Sequence, residues 1–220
     1  MTTTTNDIYE ALKRDIIERR IKPNEKIDVP VIVDRFNVSR MPVASALNRL
    51  EAEGLVIAKH RVGTFVKPVH RDDLAEMLEY REMIEQWAGA TIVKHLRNAD
   101  LDTLRAILQR ADALMDSAEE ENFRYRDVMV CDQQFHQTMI NLSGNSRIIE
   151  SYQSLNSHLQ VARVYTYGKL ATCLTARTEH YAILDALACR DVEQFRQTQQ
   201  AHLNKRRAHV LAVMDQRDAI

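Results

Sequence analysis

The stretch that most constrains this chain runs over residues 35–55, RFNVSRMPVASALNRLEAEGL. Ser39 is placed to cap a helix by accepting a backbone N–H, and Val43, Ala46, Leu47 and Leu50 then fall on one face of that helix. Gly54 follows the last apolar turn as a C-terminal stop. Residues 55–57 and 62–66 read as two strands around the basic turn Lys59-His60-Arg61. A short amphipathic helix with a basic wing behind it has the shape of a module that docks on duplex DNA.

The segment ahead of it fits the same module. A first helix, capped by Asn6 or Thr5 and reaching about Arg20, carries Ile8, Leu12, Ile16 and Ile17 as its core stripe. Residues 21–27 form a turn, in which Asn24 tolerates a positive φ. Asp28 caps a second helix with Pro30 in its first turn, and Val31, Ile32, Val33 and Phe36 are expected to pack under the recognition helix. In such a module the helix from about Met41 enters the major groove. Arg40 and Arg49 are then candidates for base and phosphate contacts, and Ser39, the helix N-terminus and Arg35 for phosphate positioning. Lys59, His60 and Arg61, with Gly63 allowing close backbone approach, form the candidate wing contact. Residues 1–70 hold 12 basic against 9 acidic side chains and the remainder 18 against 22, so placement of charge, not its total, carries the argument.

Residues 8–67 resemble the winged helix-turn-helix of GntR-family transcription regulators, whose signature is close to VSRTPVREALRRLEAEGLV. Val38, Ser39, Arg40, Pro42, Val43, Ala46, Leu47, Arg49, Leu50, Glu51, Ala52, Glu53, Gly54, Leu55 and Val56 match it. Met41, Ala44, Ser45 and Asn48 depart from it. The resemblance implies a double-stranded operator as partner, and the missing arginine implies an operator unlike the family's usual one, because a bidentate grip on guanine contributes about 1–3 kcal/mol of discrimination.

After residues 68–71, a short linker, the pattern changes to successive helices, at about 72–96, 98–117, 125–142, 146–165, 175–190 and 191–215. Only 5 Gly and 4 Pro in 220 residues agree with a mainly α chain: a winged helix-turn-helix over 1–68 with a small β wing, then an all-α bundle over 72–220. No apolar run approaches the ~20 residues that span a bilayer, and the Met-Thr-Thr-Thr-Thr start lacks a signal-peptide layout, so a cytoplasmic location with no membrane partner is expected. Cys131, Cys173 and Cys189 have no C-x-x-C spacing and are expected to be reduced thiols. Trp87 is most simply core.

Within the bundle, Asp132 and His136 lie four apart on one helix, close enough to share an ion. His180 and His202 flank the hinge at Arg190-Asp191 at 10 to 11 residues on either side, a matching depth of roughly 16 Å at 1.5 Å per residue. One carboxylate and three imidazoles suit a divalent transition metal such as Zn²⁺, Ni²⁺ or Mn²⁺. Read by spacing alone, packed or surface histidines account for the same residues, as they do for His95, His158 and His209.

Residues 72–220 are also similar to the FCD effector domain of FadR-like GntR regulators, in its shorter six-helix form. The segments that carry this are DQQFH at 132–136, LSGN at 142–145, EHYAILDAL at 179–187 and AHL at 201–203. The resemblance implies metal binding at Asp132, His136, His180 and His202. It further implies a small carboxylate effector held by the ion and by Arg81; Arg163, with Tyr165 and Tyr167 nearby, is a further candidate for the cavity wall. An i,i+4 pair of Arg81 with Glu85 is the alternative role for that arginine. The function implied is a homodimeric, ligand-responsive regulator of repressor type on a palindromic operator. A metal-dependent hydrolase or lyase, or a metal sensor without organic effector, are the competing readings.

Overall fold

The computed structural model describes residues 4–119, 121, 123–166 and 170–218, with the side chains of 157, 158, 160–166, 217 and 218 outside that description. The chain divides into two compact units, one made mainly of residues before 71 and the other mainly of residues from 71 onward.

In the first unit α1 (Thr5–Ile17), α2 (Val29–Phe36) and α3 (Arg40–Ala52) precede β1 (Val56–Lys59) and β2 (Gly63–Val66). Thr4, rather than Asn6 or Thr5, caps α1: its hydroxyl accepts the Asp7 N–H at 3.2 Å and the Asp7 carboxylate accepts the Thr4 N–H at 2.8 Å. Ile8, Leu12 and Ile16 from α1 and Val43, Ala46, Leu47 and Leu50 from α3 are buried and form the core of this unit. From α2 only Ile32 is fully buried, whereas Val31 is 59% exposed and so does not pack under α3 as its hydropathy suggests. Asn24 and Asn37 adopt positive φ, and Asn37 is thereby the left-handed cap that ends α2.

The wing strands pair antiparallel from Val56↔Val66 to Lys59↔Gly63. A third segment joins them. Lys26 bridges Phe65, the Ile27 N–H donates to the Thr64 carbonyl, and the Val66 N–H donates to the Glu25 carbonyl. Residues 25–27, read from sequence as part of a turn, therefore act as a short edge strand that anchors the wing to the rest of the unit.

Six helices follow, α4 (Arg71–Ile92), α5 (Asn98–Asp116), α6 (Tyr125–Leu142), α7 (Ser146–Thr166), α8 (Leu170–Ala188) and α9 (Val192–Asp218), and they make the second unit except for residues 157–164 of α7. Its core gathers Ile92, Leu104, Phe135, Met139, Ile183, Leu187 and Phe195 from five of these helices. Trp87 departs from expectation: it is 44% exposed on the outer face of α4, beside Met83, and contributes little to the core. Gly89 shows why α4 and α9 can approach so closely, since a Cβ built there would overlap the Phe195 ring.

Gly89→Val is accordingly expected to lower stability by about 1–3 kcal/mol through overpacking. A urea titration followed by far-UV circular dichroism should show a lower midpoint; an unchanged midpoint would mean that the ring moves aside at no cost.

Candidate metal centre and nucleic-acid interface

Three helices bring the ion-binding candidates together. One turn of α6 separates Asp132 from His136, and the short connection between α8 and α9 sets His180 against His202, with ring centroids 4.7 Å apart. His136 completes the group at 5.1 Å from His180 and 5.2 Å from His202. The Nε2 atoms of His136 and His180 are 3.2 Å apart, and Asp132 Oδ1 lies 3.3 Å from His180 Nε2 and 3.9 Å from His136 Nε2. One ring nitrogen from each histidine falls within 4.8 Å of the others.

All three histidines are buried, and His202 Nε2 is enclosed without a hydrogen-bond partner. Burial lowers the pKa of His136; it lowers that of His202 further below the ordinary 6.5, where His180 and His136 add to the effect. Neutral imidazoles with inward lone pairs are the form a metal takes. An orphaned nitrogen, two neutral rings and a carboxylate oxygen within reach therefore fit a divalent transition ion, as the donor set requires.

Two carboxylates behind the rings fix their orientation. Glu179 Oε2 is 2.9 Å from His202 Nδ1, so an Nδ1–H donated to it leaves Nε2 as the ligand atom. Glu85 Oε2 stands 2.9 Å from His136 Nδ1, although the approach is off the ideal hydrogen-bond line. Neither residue is apparent as a site residue from sequence. Glu179 adjoins His180, and Glu85 enters only as the i+4 neighbour of Arg81, so adjacency to a candidate was the one signal.

Arg81 does pair with Glu85, its Nε donating to Oε1 at 2.5 Å, and both side chains are almost fully enclosed. The Tyr152 hydroxyl and Gln199 Nε2 also donate to Glu85. Burial pushes the Glu85 carboxyl up, but Arg81, then His136 and Tyr152, outweigh it and hold it well below the usual carboxylate range. Arg81 Nη2 remains buried without a partner, so one end of the guanidinium is bound and the other is open to an acceptor. The Arg163 side chain lies outside the described residues. A mainly apolar cavity between α5, α6 and α8 reaches Asp132 and His180 past Met115, Val128, Cys131 and Cys173. Cys131, Cys173 and Cys189 form no disulfide.

In the first unit the candidate DNA contacts separate into two groups. Arg40, at the start of α3, and Lys59, His60 and Arg61, at the wing turn, are exposed. Ser39 occupies the N-cap position of α3, yet its hydroxyl makes no capping bond, contrary to its sequence reading, and stays available to another acceptor or donor. Gly63 sits at φ +131°, with Lys26 packed where a side chain would be. Arg35 and Arg49 are engaged within the protein. Arg35 Nη1 donates to the buried Asp15 carboxylate at 2.6 Å, and the Arg49 guanidinium lies 3.8 Å over the Tyr9 ring while donating to Asn6 Oδ1 at 3.1 Å. Among the described residues no helix is long and apolar enough to cross a membrane.

Residues 76–205 match the FCD domain family, and residues 4–66 match the bacterial regulatory proteins of the gntR family. The uncharacterized HTH-type transcriptional regulator YdhC of Bacillus subtilis is 24% identical over 208 residues, covering 94% of this chain and 91% of its own. The HTH-type transcriptional repressor RspR of Escherichia coli is 21% identical over 198 residues, covering 90% and 85%. Among solved structures, E. coli McbR/YncC superposes with a TM-score of 0.79 across 96% of this chain and 98% of its own at 20% identity, a likeness of fold.

Replacing Glu179 by Gln should weaken metal binding by about 10–100-fold, the usual effect of losing an outer carboxylate, as read by competition with a chromophoric chelator. Acid should act on the metal-free protein in a defined direction. His136 and His202 take up protons near the ordinary 6.5 when unfolded and only at lower pH when folded. Their contribution to stability is therefore whole above pH 6.5 and is lost as pH falls below it. Urea midpoints measured with excess chelator should be lower at acidic pH than at slightly alkaline pH.

Proposed function

The chain belongs to the gntR family of bacterial regulatory proteins and carries an FCD domain, and from that premise we propose that it is a homodimeric repressor whose grip on operator DNA is released by a small carboxylate bound beside a divalent metal. It is a transcriptional regulator and not an enzyme, so the hydrolase or lyase reading of the Asp/His cluster falls away. The observation that carries the sensing half is the convergence of His136, His180 and His202 with Asp132.

The ion would be held by those four side chains and would supply a positive centre for an anionic ligand. Arg81 supports the same reading from the protein side. Its Nη2 is an unsatisfied, fully enclosed donor, and a guanidinium already fixed through Nε presents that donor to a carboxylate without first losing rotational freedom. An effector of this kind shifts the DNA-binding equilibrium only if it prefers one arrangement of the protein over the other. That RspR is named a repressor supports repression here.

On the DNA side, Arg40, His60 and Arg61 reach phosphate or base edges from exposed positions, and Lys59 does so from over the Phe65 ring, 4.7 Å from its centroid, with Ser39 and the α3 N-terminus positioning phosphate and Gly63 keeping the wing tight. Arg35 and Arg49 act one step back, locking α2 and α3 onto α1. A two-fold protein reads a two-fold site, hence a palindromic operator, in the cytoplasm where that DNA is found.

Gel shifts with the full-length protein and the DNA upstream of its own gene test the proposal. Specific retardation that weakens steeply with salt is expected, and Arg40→Ala should lower affinity by about 1–3 kcal/mol. Retardation should be lost on adding metal and a carboxylate together but not either alone. Absence of any specific, salt-sensitive complex would overturn the proposal, and loss with metal alone would replace the organic effector by the ion.

A further inference from the structure

The residues of α3 that break the family signature share one position in space. Met41, Ala44, Ser45 and Asn48 are spaced i, i+3, i+4 and i+7, and all four are exposed, Met41 to 82%. They therefore form a single stripe opposite the buried Val43, Ala46, Leu47 and Leu50. From Met41 to Asn48 the stripe is about 10 Å long at 1.5 Å per residue, the length of roughly three base-pair steps. No residue in it is charged. The helix has two arginines, Arg40 and Arg49, and Arg49 is turned back onto Tyr9 and Asn6, so Arg40 at the leading edge is the one guanidinium on α3 placed to grip guanine.

The stripe thus offers the groove two apolar surfaces, a hydroxyl and a carboxamide. Major-groove chemistry matches these to one class of base pair. Methionine and alanine side chains contact the thymine methyl, asparagine pairs bidentately with adenine N6 and N7, and serine accommodates either base, while a guanine with no guanidinium or ammonium opposite it leaves its two acceptors without a charged donor.

We propose that each operator half-site presents a run of about three A·T pairs to Met41, Ala44 and Asn48, bordered by the pair that Arg40 contacts. This rests on the reading of the chain as an operator-binding repressor, and it adds what the operator must contain. Met41 and Ala44 select thymine methyls by dispersion contact and exclusion of water. Asn48 fixes the position of an adenine within the run.

Selection from a randomised duplex library by the full-length protein, read by sequencing, tests this. The enriched half-site should contain the A·T run, with G·C depleted about tenfold at the innermost position. Asn48→Arg should convert that position to G·C, and Ala44→Arg should do the same at its neighbour; both sites are exposed, so each variant checks the other should one fail to fold. Enrichment of G·C opposite the stripe in the wild type, or a consensus unmoved by both substitutions, overturns the inference while leaving operator binding intact. Bulk DNA binding with no enriched sequence overturns it together with the operator reading.

Discussion

The effector unit depends on how one carboxylate is satisfied away from water. Glu85 is fully enclosed, and its two oxygens are reached by Arg81 from the same helix, Tyr152 from α7, Gln199 from α9 and His136 from α6. Isolating such a charge in an apolar interior would cost several kcal/mol, and here four partners on four helices offset that cost together. The consequence is geometric as much as energetic. Each partner must stay in register for the charge to remain covered, so α4, α6, α7 and α9 are fixed relative to one another by a single hub.

That hub stands directly behind the ion-binding group. His136 turns one ring nitrogen toward Glu85 and the other toward His180 and Asp132, and Arg81 turns one edge of its guanidinium toward Glu85 while its far amino group is left without an acceptor. Glu85 therefore orients a candidate metal ligand and the arginine proposed to meet the effector at once. On the opposite side, Glu179 does the same for His202 and also meets Lys205. The inner polar groups are thus arranged in two layers, Glu85 and Glu179 outside and the three imidazoles with Asp132 inside, an order that brings one ring nitrogen of each histidine within 4.8 Å of the others.

The parts of this architecture that follow from local pattern were legible in the sequence. Asp28 and the Asn24 turn, the period of α3, the ends of α6 at Tyr125 and Leu142, and the depth of His180 and His202 about their hinge all follow from spacing within one or two elements. What stayed hidden depends on contacts between residues far apart in the chain. Hydropathy placed Trp87 inside and Val31 under α3, because it does not say which side of a helix has a neighbour. The pairing of residues 25–27 with β2 joins segments about forty residues apart, and the Glu85 network joins residues separated by as many as 114. The motif places Arg35 and Arg49 among the DNA contacts, and only packing shows that Asp15, Tyr9 and Asn6 already engage them.

The two halves store their specificity in opposite environments, and this decides how each can change. Met41, Ala44, Ser45 and Asn48 are exposed, so on the proposed reading exchanging one would alter base contacts with stability left near its starting value. Arg81, Glu85 and Gln199 are buried and joined through Glu85, so exchanging one leaves another uncovered and would alter the proposed ligand binding and stability together. On that reading operator choice is separable from folding in this chain. Effector choice is not, because the groups that would meet the ligand are the same groups that keep the bundle's central charge satisfied.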